Sequence, residues 1–219
     1  MNVIAISNNL YNKTSLFAKS NTVFIRNKEE LTLERLNEIL PEYVFFPHWS
    51  YIIPSIIHEN FKCIIFHMTD VPFGRGGSPM QNLISRGIYD TKISAIKCVN
   101  KLDAGDVYLK RDFSMKEGSA LELYIKAGEI ISDMIDEIIE KKMIPAKQHG
   151  EVVEFKRRAY EESDIAQIDS INKAYDYIRM LDAPGYPRAF LKSGKLKYGF
   201  HNARLENGKI IASVEIEEL

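Results

Sequence analysis

The sequence predicts an α/β fold, with a mostly parallel central sheet followed by a small C-terminal helix and β-hairpin appendage. Three observations predict it. Short β-branched and aromatic runs alternate with helix-spaced segments over the first two thirds of the chain, the pattern of βαβ units. One long amphipathic segment, 119–141, is the clearest helix. The tail from Ala189 alternates around Gly194, Gly199 and Asn207-Gly208, and Asn-Gly between β-rich runs is a strong hairpin signal.

Taken in order, Val3 to Ile6 and Thr22 to Ile25 read as strands, and Leu31 to Leu40 has helical apolar spacing. Tyr43 to Phe46 is a short buried strand, Pro54 to Glu59 a short helix, and Lys62 to Phe66 the next strand. A Pro/Gly loop follows, then a helix from Met80 to Ser85. Lys92 to Val99 and Val107 to Arg111 are β-rich and read as a hairpin-like excursion from the sheet. In the long helix, Ser119 and Glu122 form a capping box, and Tyr124, Ala127, Ile131, Ile135 and Ile138 share one face. Lys141 and Lys142 suit its negative end, and Pro145 stops it. The polar stretch 145–168 reads as a boundary, Ser170 to Leu181 as a second helix, and 182–187 as a turn. The domain expectation is therefore 1–150 for a catalytic domain and 151–219 for an extension.

Composition bounds the function. With 219 residues the chain is long enough for one good core. A formal net charge of −1 gives no bulk attraction to nucleic acid or anionic membrane. Cys63 and Cys98 lie inside apolar runs, which suits reduced, buried thiols rather than a disulfide or a metal site. The first residues carry no basic stretch ahead of an apolar one, as a secretory signal would. No run approaches the roughly 18 apolar residues of a membrane span. A soluble, cytoplasmic protein without a membrane partner is expected.

The chemistry concentrates in His67-Met-Thr-Asp-Val-Pro-Phe-Gly-Arg-Gly-Gly-Ser-Pro79 and Leu102-Asp-Ala-Gly-Asp106. His67 ends an apolar strand, and in open α/β sheets the carboxyl edge hosts ligand sites. Asp103 lies in a glycine turn, where Asp and Gly are also the ordinary turn residues. A carboxylate beside an imidazole orients the ring and favours its protonated form. Such a pair can move a proton off an attacking amine. Arg75 is either an anion-binding side chain or a solvated loop residue. The loop lacks the terminal Gly-Lys-Ser/Thr of a P-loop.

The segment His67 to Gln81 resembles the signature of formyltransferases that use 10-formyltetrahydrofolate, and Leu102 to Asp106 resembles their second motif. Trp49-Ser-Tyr-Ile-Ile-Pro54 is similar to the loop lining the pterin pocket. Lys156-Arg-Arg158 and Tyr177 to Phe190 resemble the region beyond the catalytic domain in members that modify amino sugars. The resemblance covers roughly 42–205. It implies a Rossmann-like catalytic domain, here with a shortened N-terminal half. It also implies His67 as general acid/base, tuned by Asp103. Thr69, Asp70, Val71 and Pro72 would lie along the folate. Tyr51, Ile52, Val99, Asn100, Leu102 and Gly105 would hold the pterin. Arg75, Gly77 and Tyr186 would meet the acceptor, with Arg179 and Arg188 as further candidates.

Two positions depart from the family pattern. Ile65 stands where the family has an oxyanion-stabilising Asn, a donor whose loss typically costs about 2.7–4 kcal/mol. His48, Thr69 or Asn100 are the candidate replacements, and a folate- or sugar-binding homologue without catalysis is the alternative. Asp70 stands where the family has Leu. The expected reaction is formyl transfer from 10-formyltetrahydrofolate to the primary amine of a small acceptor, a nucleotide-linked amino sugar. A methionyl-tRNA acceptor is the alternative. From 151 to 219 there are 11 Lys/Arg and 12 Asp/Glu, so tRNA is disfavoured as a partner. The exposed edges of the appendage, with Leu196, Phe200, Ile210 and Ile211, offer a surface on which two copies could pair.

Overall fold

A computed structural model describes residues 1–6, 17 and 21–219. They divide into two compact units, one comprising 1–76, 91–113 and 124–154, the other 77–90, 114–123 and 155–219.

The first unit is built on a six-stranded sheet. Its strands are β1 (Asn2–Ile6), β2 (Thr22–Ile25), β3 (Val44–His48), β4 (Cys63–His67), β6 (Asp90–Lys97) and β7 (Val107–Ser114), in the order β2-β1-β3-β4-β6-β7. The pairings β1–β2, β1–β3 and β3–β4 are parallel, and β4–β6 is antiparallel. Helices α1 (Leu33–Ile39) and α2 (Ser55–His58) connect β2 to β3 and β3 to β4. Thr32 caps α1, its hydroxyl accepting from the Arg35 N–H at 3.1 Å. Val3, Ala5, Leu36, Val44, Phe46, Ile57 and Cys63 bury one face as a contiguous core.

Helix α4 (Ala120–Lys141) buries Tyr124, Ala127, Ile131, Ile135 and Ile138, the stripe its period predicts. Ser119 and Glu122 bond reciprocally, the Glu122 carboxylate accepting from the Ser119 N–H at 2.7 Å.

Three segments differ from expectation. β6 and β7 are members of the central sheet, not an excursion from it. Ile93, Ser94, Ala95 and Ile96 are all fully buried, so both faces of β6 are covered, as a central strand requires. The Pro/Gly loop contains a strand, β5 (Phe73–Gly76), which pairs with β8 (Val153–Phe155) from the stretch read as a boundary. That stretch also carries a 3₁₀ turn at Tyr160–Ser163.

The second unit holds α3 (Pro79–Ile84), α5 (Ile171–Arg179) and an antiparallel sheet in the order β11-β10-β9. Its strands are β9 (Ala189–Ser193), β10 (Leu196–Glu206) and β11 (Lys209–Glu218). Asn207 and Gly208 turn the long hairpin with φ of 49° and 71°, the two left-handed residues of a primed turn. Arg179 is buried, its Nε donating to Asp176 Oδ1 at 2.7 Å, while Tyr89 donates to Asp176 Oδ2 at 2.6 Å. At Gly77 an added Cβ would lie 2.6 Å from Arg157 Cα, so only glycine allows that approach.

Among the described residues no helix is long and apolar enough to cross a membrane, and no cluster of His, Cys, Asp and Glu could hold a metal ion. Both cysteines are free and buried. Burial pushes the Cys63 thiol up, and burial with the Asp103 carboxylate pushes Cys98 up to about 11.

Candidate active site

The site residues that can be related to one another all belong to the first unit. β4 ends on His67, whose side chain is buried. β5 then supplies Gly74, Arg75 and Gly76, and the turn between β6 and β7 supplies Asp103. Ser94, paired across from His67, donates its hydroxyl to the Thr69 carbonyl at 2.7 Å and holds the chain as it leaves β4.

His67 and Asp103 meet. Nδ1 of His67 is 3.6 Å from Asp103 Oδ2. On the other side of the ring, Nε2 lies 2.8 Å from the Gly74 carbonyl oxygen. A carbonyl only accepts, so Nε2 carries the proton and Nδ1 is the basic nitrogen of the neutral ring. Once Nδ1 takes a proton, the imidazolium faces a carboxylate that is itself buried. The Gly76 N–H donates to Asp103 Oδ2 at 2.9 Å and keeps that oxygen aimed. Asp103 has φ of 50°, a left-handed backbone that Asp tolerates better than most residues.

The remaining expected site residues divide by what they touch. Thr69 is fully buried and its hydroxyl donates to Gly74 O at 3.3 Å, so this donor is already engaged. Asp70 is paired with Lys110, which also donates to the Val71 carbonyl at 2.6 Å. Val71 is fully buried, and Pro72 accepts from the Val153 N–H at 3.2 Å through its carbonyl. Val99 is half-buried, while Asn100 and Leu102 are exposed. Gly105 is buried hard against Lys97, where an added Cβ would be 1.8 Å from the carbonyl oxygen. Tyr51 and Ile52 are exposed and line an open pocket of about 320 Å³ with Lys28, Glu29, Leu31, Trp49 and Pro54. Among the described residues the indole N–H of Trp49 is buried without a hydrogen-bond partner.

Arg75 is buried rather than solvated. Its guanidinium donates to Gln148 Oε1 at 3.1 and 2.8 Å. Gln148 and Lys110 were not singled out by sequence. Lys110 sits in a strand whose pattern shows only alternation, and Gln148 in a polar stretch without periodicity. Gly77 and Tyr186 belong to the second unit, as do Arg179 and Arg188. Arg179 is spent on its buried pair with Asp176, and Arg188 pairs with Glu215, so neither is a free cation for an acceptor.

Ile65 packs against the apolar cluster and cannot donate. Of the three candidate replacements, His48 is the one on a strand end beside β4, since the pairing Phe46↔Ile65 sets the ends of β3 and β4 next to each other. Its ring centroid is 5.6 Å from that of Tyr124. Burial lowers its pKa from 6.5 to about 4, so the ring is neutral at ordinary pH. Below about pH 6.5 the unfolded chain takes up a proton that the folded chain refuses until about pH 4. Stability from this group is therefore complete above pH 6.5 and is lost as pH falls toward 4, by up to roughly 3 kcal/mol. Urea unfolding at about pH 7.5 and about pH 4.5 is expected to show a larger acid loss for the wild type than for His48→Gln. Equal losses would contradict it.

A buried histidine held in one tautomer by a carbonyl and faced by a carboxylate, at the carboxyl edge of a largely parallel sheet, has the geometry that proton transfer needs. A family model described as the methionyl-tRNA formyltransferase C-terminal domain matches residues 160–217. A solved structure described as methionyl-tRNA formyltransferase from Clostridium thermocellum is 52% identical, covering 100% of this chain and 99% of that one with a TM-score of 0.92. The chain belongs to the formyltransferase family.

Methionyl-tRNA formyltransferase of Bacillus thuringiensis is 30% identical over 166 residues, which cover 72% of this chain and 52% of the relative. The chain spans about half the length of the curated relatives it matches. HypX from Aquifex aeolicus, solved in complex with tetrahydrofolic acid, shares the fold at 19% identity, with a TM-score of 0.80 over 93% of this chain and 38% of that one.

These findings overturn the expectation that tRNA is disfavoured as a partner. The relatives at 30–52% identity are named for tRNA, and the matched C-terminal domain falls on the segment whose charge balance argued against it. A balanced total over 151–219 sums every face of the segment and says nothing of any one surface.

Proposed function

We propose that the chain transfers a formyl group from 10-formyltetrahydrofolate to the amine of methionyl-tRNA. The observation that carries the chemistry is the His67–Asp103 pair, with Nε2–H held by Gly74 and Nδ1 facing the carboxylate at 3.6 Å. A neutral amine attacks the formyl carbon, and its surplus proton passes to Nδ1 of His67. The imidazolium is stabilised by Asp103 and returns the proton to the departing folate nitrogen. One C–N bond forms and one breaks, and no oxidant or reductant is needed.

The pocket walled by Trp49, Tyr51, Leu31 and Ile52 suits a planar heteroaromatic ring. The tRNA acceptor rests on the names of the 30% and 52% identical relatives and on the matched C-terminal domain. The “likely sugar N-formyltransferase” of Mycobacterium tuberculosis shares the fold at 14% identity, which supports the fold alone. The test is incubation with 10-formyltetrahydrofolate and either methionyl-tRNA or a panel of amino-sugar nucleotides. Formylmethionyl-tRNA is the expected product. Turnover on amino sugars with none on tRNA would reassign the acceptor, and no turnover on any amine would remove the activity.

A further inference from the structure

Gln148 crosslinks three segments of the first unit. Its Nε2 donates one hydrogen to the Asp103 carbonyl at 2.8 Å and the other to the Gly105 carbonyl at 2.7 Å. Its Oε1 accepts two bonds from Arg75, at 3.1 and 2.8 Å. All four hydrogen-bonding positions of this amide are used. The segment that carries it is pinned two residues earlier, where Ala146 and Val107 exchange backbone hydrogen bonds at 2.7 and 2.9 Å. Val107 directly follows the Asp103–Asp106 turn. The amide is therefore anchored to the start of β7 and closes over the turn that β7 leaves.

The neighbouring residue of β5 completes the arrangement. Arg75 holds the amide, and Gly76 N–H holds the Asp103 carboxylate directly at 2.9 Å. Two successive residues of one strand thus fix both the side chain and, through Gln148, the backbone of the same aspartate. These bonds add to the tolerance that aspartate itself has for the left-handed backbone at this position (φ 50°). Arg75 and Asp103 are both buried and Gln148 is half-buried, so these bonds are partly shielded from water.

We infer that Gln148 is a positioning residue for Asp103, holding its carboxylate at the distance from His67 that proton transfer requires. The inference rests on the formyl-transfer reading for its kinetic test but not for its structural one. A misplacement of about 1 Å in such a group typically costs about 10²-fold in rate. In the full chain, Gln148→Ala is expected to lower kcat by about 10–100-fold while KM for donor and acceptor stays within about threefold.

Gln148→Glu separates two roles. A glutamate keeps the acceptor for Arg75 but has no hydrogen to give either carbonyl. It is near-isosteric, so it remains informative where the alanine variant is poorly folded. Its kcat is expected to fall as far as that of Gln148→Ala. Wild-type kcat in Gln148→Glu would assign the residue to Arg75 alone and overturn the inference. So would a loss confined to KM, or a kcat within about threefold of wild type in a folded Gln148→Ala.

A second readout does not depend on turnover. In NMR spectra, the His67 ring resonances are expected to move in Gln148→Ala and Gln148→Glu in the direction that Asp103→Asn moves them. Unmoved resonances would overturn the positioning role. If the wild type transfers no formyl group, the proposed function falls while these spectra still judge Gln148.

Discussion

His67→Ala is expected to lower kcat for formyl transfer by about 10²–10⁴-fold, the usual contribution of a positioned acid–base group. The loss should fall on kcat, because the side chain is buried at the end of β4 and its work is to take and return one proton. Asp103→Asn is expected to fall in the same range for a different reason. The asparagine keeps the shape but removes the negative charge that faces Nδ1 at 3.6 Å, so the imidazolium formed in mid-reaction loses its counter-charge. The two losses should not add in the double variant, because both residues serve one proton transfer. Tetrahydrofolate release followed spectroscopically gives kcat for all three variants. Full additivity would mean that the residues act independently.

Gly105→Ala is the second large effect, and it acts through the backbone. The new Cβ would lie 1.8 Å from the Lys97 carbonyl oxygen, far inside contact distance, and its neighbour is a backbone atom that cannot rotate away. Lys97 is further tied to the turn by its own N–H, which donates to the Asp106 carbonyl at 2.8 Å. Relief must come from displacing the turn, and with it Asp103 and the two carbonyls that Gln148 holds. Overpacking of this kind costs about 1–3 kcal/mol or more. For a chain of this size that lowers Tm by roughly 3–10 °C. Activity is expected to fall more than stability does, since the moved turn carries the carboxylate. Gly199→Ala is the control, because its nearest neighbour would be 3.8 Å away. Thermal melts and kcat of both variants check the pair, and an active, stable Gly105→Ala would refute the packing argument.

Much of the site was legible because its residues stand at chain positions with strong local signals. His67 closes an apolar run, which marks the carboxyl end of a strand, and Asp103 stands in an Asp/Gly turn. Both readings are local, and the sheet topology then brings them together. Helix α4 was legible for the same reason, since its capping box and apolar stripe are near-neighbour patterns.

What was not legible depends on distant partners. β5 reads Phe-Gly-Arg-Gly, with no alternation to announce a strand; it is one because β8 pairs with it. Gln148 lies 73 positions from Arg75 and 45 from Asp103, and nothing near it in sequence marks it out. β6 looked like half of a local hairpin because its alternation continues into β7. Its pairing with β4, Ile65 opposite Ile96, was invisible until the sheet order was known. The tRNA expectation failed because a summed charge carries no surface geometry.

The structure of the protein with a bound stable N10-formyl folate analogue tests most directly the claim that His67 and Asp103 form the formyl-transfer centre. The formyl carbon is expected within about 3–4 Å of the His67 ring, with room beside Nδ1 for an amine. A folate seated elsewhere, with its formyl group beyond water-bridged reach of His67, would contradict it.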